Sequence, residues 1–224
     1  RVALAGFDLG AYTAMVLAGE DPGEPVTSTP RPAVPISAVI ALSPYADFSG
    51  TSFATRYANI ARPVLLITSD RDIDAVGLVS TPALRRAPFD HMQAGGKYLL
   101  ALVGATHAYL AGGDRDAPEA SGRNSSRSGE SDSTARDTPR SDRPRRGTGQ
   151  ANRSERSTSN AVRPGSSGDT YIQTAAIPRA TAITSITTAS TAYLDAYLRG
   201  NLRAKEWLEQ RASHWLGSVA SLAT

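Results

Sequence analysis

The chain runs to 224 residues with a formal charge of +3, no cysteine and an apolar share of 40%. That length can bury a core of ordinary size, while the lack of cysteine excludes disulfides, thiolate nucleophiles and cysteine-based metal sites. No stretch approaches the ~20 apolar residues of a membrane span, and arginines interleaved with Asp and Glu form no basic face for nucleic acid despite a pI of 9.4.

The first apolar run, Val2 to Gly6, reads as a strand and breaks into Gly6-Phe7-Asp8-Leu9-Gly10. In a Gly-x-Asp-x-Gly motif the central residue is expected on a strained strand-to-helix turn, with a Cβ at Gly6 or Gly10 colliding with the neighbouring strand and helix. The simpler role for Asp8 is that of an N-cap. A helix is expected over Ala11 to Gly19, followed by a Pro-rich loop from Asp21 to Pro35. Because the first residues already read as an interior strand with an open apolar edge, the chain is expected to be the C-terminal portion of something longer.

Three further strands are expected, over Ala38 to Leu42, Pro63 to Thr68 and Lys97 to Gly104. Near-continuous apolar runs of this kind belong to a parallel sheet with helices on both faces, an α/β fold. Asp70, Asp72 and Asp74 leave the third strand and His107 leaves the fourth, at the strand ends where open parallel sheets place their sites. Tyr45, Phe48 and Phe89 could line an apolar pocket there or belong to the core. His91, in a loop or short helix, and His214, near the end of the last helix, read as structural or solvated. No two histidines fall at metal-ligand spacing with a carboxylate, so no metal is expected.

From about Asp114 to Asp169 the sequence is dominated by Ser, Arg, Asp, Gly, Thr and Pro, a composition that cannot repay the entropy of ordering. Apolar patterning then returns. Ile183, Ile186, Tyr193, Tyr197 and Leu198 give a helical stripe, and Ala204, Trp207, Leu208, Arg211 and Trp215 suggest a second helix. The expected organisation is a core over residues 1–112, a disordered insertion over 113–170 and C-terminal helices over 171–224.

Asp8, Asp72 and His107 follow one another in the nucleophile, acid, histidine order of the α/β-hydrolase fold. The segments Pro63-Val64-Leu65-Leu66-Ile67-Thr68-Ser69-Asp70-Arg71-Asp72, Ala87-Pro88-Phe89-Asp90-His91-Met92, Gly104-Ala105-Thr106-His107 and Tyr193-Leu194-Asp195-Ala196-Tyr197-Leu198-Arg199-Gly200 resemble the dienelactone-hydrolase-like branch of bacterial α/β-hydrolases. The resemblance implies the C-terminal half of that fold, a small-molecule substrate and no cofactor. It also implies a nucleophile at residue 8, an orienting acid at Asp72, a general base at His107 and half of an oxyanion hole at the Leu9 N–H. The family's second oxyanion donor comes from a loop after an earlier strand.

Asp8 stands where that branch has Ser. A carboxylate is already anionic at neutral pH and is favoured at a helix N-terminus, so it can attack without a base. Haloalkane dehalogenases and epoxide hydrolases, relatives on the same fold, use such an Asp to form an enzyme ester that a His-activated water hydrolyses. They usually place Trp after the Asp, where this chain has Leu9. Three functions remain open at this stage: hydrolysis of an ester or related electrophile through Asp8, a catalytically inactive homologue that binds a ligand or partner, and ester chemistry through Ser43.

Overall fold

Val64–Arg71 forms strand β3, whose first four residues are wholly buried and alternate between two cores. Leu65 and Ile67 pack on one side of the sheet, Val64 and Leu66 on the other. Each such side chain contributes ~2 kcal/mol by leaving water. The computed structural model describes residues 1–23, 34–44, 52–74, 78–113 and 177–224. These fall within one compact unit. The insertion expected from residue 114 on, and the rings of Tyr45 and Phe48, lie outside the described residues.

The other strands are Val2–Phe7 (β1), Ile36–Leu42 (β2), Lys97–Thr106 (β4) and Ala220–Ala223 (β5), and they lie in the order β1-β2-β3-β4-β5. The first four are parallel, in registers that include Gly6 with Ala41, Leu42 with Ile67, and Leu66 with Leu99. All four expected strands are present. β5 was not expected: it closes the sheet antiparallel to β4, with Leu222 opposite Leu100. The segment 171–224 therefore holds a strand as well as helices.

Parallel neighbours need crossovers. Leu9–Ala18 (α1) joins β1 to β2, Phe53–Tyr57 (α2) lies between β2 and β3, and Pro82–His91 (α3) lies between β3 and β4. Small side chains let α1 lie close against the sheet, with Ala11, Ala14 and Met15 buried beside Val39 and Ala41. His91, expected in a loop or short helix, ends the ten-residue α3.

His107–Leu110 (α4) follows β4, and the opposite face of the sheet is covered by Arg179–Leu198 (α5). Tyr193 of α5 is fully buried, accepts the Val39 N–H at 3.3 Å and meets Tyr98 edge-on at 5.8 Å between ring centroids. Burial raises its phenol above the usual tyrosine range. The second expected helix is present as Leu202–Glu206 (α6) and Ala212–Leu216 (α7), joined by a wider π turn over Trp207–Arg211. No helix among the described residues is long and apolar enough to cross a membrane.

Two arginine contacts fix parts of this frame. The Arg56 guanidinium is wholly buried, with Nε 2.6 Å from Glu20 Oε1. Burial pushes the Glu20 carboxyl up to about 7, and Arg56 pulls it back only in part. At the other end of the chain, Arg179 donates to the Gly112 carbonyl at 2.9 Å. That contact brings the start of α5 against the residues that follow α4.

Candidate active site

Asp8 belongs to the sheet and to a helix at once. Its N–H donates to the Leu42 carbonyl at 3.0 Å, continuing the β1–β2 ladder, while its carbonyl accepts from Tyr12 N at 3.0 Å and opens α1. Meeting both demands in one residue puts its backbone at φ 51°, ψ −113°, a strained region for a side chain other than glycine. The approach of helix to strand requires Gly6, since a Cβ there would lie 2.2 Å from the Gly10 carbonyl carbon and oxygen. The matching expectation for Gly10 is corrected. A Cβ on Gly10 meets nothing within 4 Å, because that position faces away from β1.

The Asp8 carboxylate makes no capping hydrogen bond. It is turned out of the helix instead, with its side chain 30% exposed. Leu9 is the first residue of α1, so its N–H has no acceptor within the helix.

The three aspartates after β3 separate by their partners. Asp70 accepts from the Gly104 N–H at 2.6 Å and ties β3 to β4. Asp74 accepts from the N–H groups of Leu78 and Val79 at 2.9 and 2.5 Å and organises its loop. Asp72, fully buried, accepts from Thr68 Oγ1 at 2.8 Å and lies with Oδ1 2.8 Å from His107 Nδ1. A proton on Nδ1 would donate to this carboxylate and leave Nε2 as the lone-pair nitrogen.

Asp8 and His107 leave strands three places apart, which at ~4.8 Å per strand is about 14 Å. The turn into α4 nevertheless brings His107 back over the strand ends, and its ring centroid lies 4.8 Å from that of Phe7. Comparison with protein-family profiles, curated proteins and solved structures finds no match for this chain. The site therefore rests on its own geometry.

The residue that sequence reasoning missed is Arg85. Fully buried on α3, it reaches four of the groups just described. Its Nη1 donates to Asp8 Oδ1 at 3.1 Å and to the carbonyls of Ser43 and Pro44 at 2.6 and 3.3 Å. Its Nη2 lies 3.2 Å from His107 Nδ1 and 3.8 Å from Asp74 Oδ2, and its Nε lies 3.6 Å from Asp72 Oδ1. A buried guanidinium is tolerable only with such anionic and carbonyl company. No signal in the sequence marks it: Arg85 is told from the exposed Arg86 only by the face of α3 it shares with the buried Pro88.

Ser43 also has a left-handed backbone, φ 48°, and its hydroxyl is fully buried with no hydrogen-bond partner among the described residues. The remaining candidates lie elsewhere. Phe89 packs under Lys97, His91 lies against Phe53 and His214 is exposed. Among the described residues no group of three His, Asp or Glu side chains is arranged to hold a metal ion.

Proposed function

We propose that the chain is a hydrolase of α/β-hydrolase type, acting on an ester or related small electrophile through Asp8, His107 and Asp72. The observation that carries the reading is the backbone of Asp8, held at φ 51°, ψ −113° between a strand and a helix, with an Asp72–His107 pair at the same sheet edge. Strain of this kind on a non-glycine residue is maintained where a side chain must be presented, and the Asp8 carboxylate makes no capping hydrogen bond to the helix it opens. In this reading Asp8 attacks the electrophilic carbon, the Leu9 N–H faces the developing charge, and His107 activates the water that hydrolyses the covalent intermediate. Ser43 is a poor alternative nucleophile, since its hydroxyl does not reach solvent.

The second reading is a homologue that binds a ligand without turning it over. The 3.1 Å ion pair between Asp8 and Arg85 favours it, because a paired carboxylate is a weaker nucleophile. Intact-mass spectrometry of the full chain exposed to activated esters, epoxides and alkyl halides separates the two. A mass increase that maps to the Asp8 peptide and vanishes in Asp8→Asn supports covalent catalysis. Product formation unchanged in Asp8→Asn overturns it. Ligand-induced stabilisation with neither adduct nor product supports binding alone.

A further inference from the structure

We propose that Arg85 is a catalytic residue in the second half of the reaction, as the charged donor that holds the oxyanion when water attacks the Asp8 ester. This rests on the reading of Asp8 as a nucleophile. The two oxygens of the Asp8 carboxylate are not equivalent. Oδ1 accepts from Arg85 Nη1 at 3.1 Å, while the side chain remains partly open to solvent. Oδ2 is therefore the oxygen that attacks, and Oδ1 becomes the carbonyl oxygen of the ester, still facing the guanidinium.

In the first step an Oδ2 lone pair forms a bond to an alkyl carbon, and the leaving group departs with its bonding electrons. In the second, the oxygen of a water bonds to Asp8 Cγ while a proton of that water passes to His107 Nε2. The carbonyl π pair moves onto Oδ1. Negative charge then develops on the atom that Arg85 already touches, in a site where the donor is buried and cannot be replaced by solvent. Collapse restores the C=O bond and expels an alkoxide, which takes the proton from His107. The second proton of the water is released as Asp8 returns to the carboxylate. Nothing is oxidised or reduced.

The donor is preorganised. Ser43, through a carbonyl 2.6 Å from Nη1, fixes the guanidinium independently of Asp8. When esterification removes the charge of Asp8, Arg85 has no need to move. The same contact acts against the first step, since it stabilises the free carboxylate relative to the ester. A catalytic Arg85 thus affects the two half-reactions in opposite directions, whereas a merely structural one slows both together.

The test is a single-turnover experiment on the full chain with 1-bromobutane and styrene oxide, following adduct formation and decay by intact mass in the parent, Arg85→Met, Arg85→Lys and His107→Gln. We expect adduct to form in Arg85→Met at least as fast as in the parent and to decay roughly 10²–10³-fold more slowly, the usual effect of losing one oxyanion donor. Arg85→Lys should recover part of the decay rate. Decay at the parental rate in Arg85→Met overturns the role of Arg85 and leaves the Asp8 reading standing. Absence of adduct in both the parent and His107→Gln, which cannot activate water, overturns Asp8 as a nucleophile toward alkyl carbon and this assignment with it. Should Arg85→Met fail to fold, Arg85→Lys decides: decay slowed more than formation supports the proposal, and equal slowing overturns it.

Discussion

A methyl group on Gly6 would stand 2.2 Å from the backbone of Gly10, closer than any real Cβ contact. The first turn of α1 and the end of β1 are thus pressed together with no space between, and that pressure holds Asp8 in its left-handed conformation. The two glycines of one motif do different work. Gly6→Ala should cost more than ~3 kcal/mol or abolish folding, since backbone on both sides must move. Gly10→Ala should be neutral or stabilise the helix by up to ~1 kcal/mol. Urea unfolding of the two variants checks this, and equal losses would show that both glycines are sterically required.

Asp72→Asn should keep the fold and reduce hydrolysis of any probe that labels Asp8 by roughly 10³–10⁴-fold. An asparagine that turns its amide NH₂ toward His107 favours the other imidazole tautomer, with the proton on Nε2, where it cannot accept one from water. Nitrogen-15 NMR of the imidazole reads this without any substrate. The parent should show a protonated Nδ1 and the variant a protonated Nε2. An unchanged tautomer with unchanged turnover would remove Asp72 from the mechanism.

Glu20 gives a pH dependence separate from the site. Its carboxyl is raised from 4.5 to about 7, chiefly by burial, so between those values the folded protein holds a proton that the unfolded chain has lost. Glu20 therefore contributes its full stability below pH ~4.5 and loses it as the pH rises toward about 7, by at most ~3 kcal/mol. Urea unfolding at pH 5, 6 and 7 should show the parent losing stability relative to Glu20→Gln, which cannot titrate. Parallel curves would place the Glu20 carboxyl at its ordinary value.

Much of this architecture was legible in the sequence, because a strand covered on both faces must be apolar throughout. Leu65, Leu66 and Ile67 could be nothing else. Short or mixed elements were not legible. Ala220–Ala223 is too brief for a period to show and forms a strand only because β4 offers it an edge. Within the site, Asp8 is marked by its glycines, and Asp72 and His107 by their places after strands. Arg85 carries no such mark, since nothing local distinguishes a buried arginine from the exposed Arg86 beside it. Its contacts arise because α3 packs against β3 and β4 and sends the guanidinium to groups that follow four different strands, which is a property of the fold and not of any window of sequence.

The contact of Arg179 with the Gly112 carbonyl fastens the first turn of α5 to the residues just beyond α4, the short helix that opens with His107. The turn that carries the imidazole is therefore tied at its far end by a residue 67 positions later in the sequence. The histidine turn on the strand ends and the helix that covers one face of the sheet thus belong to a single hydrogen-bonded frame.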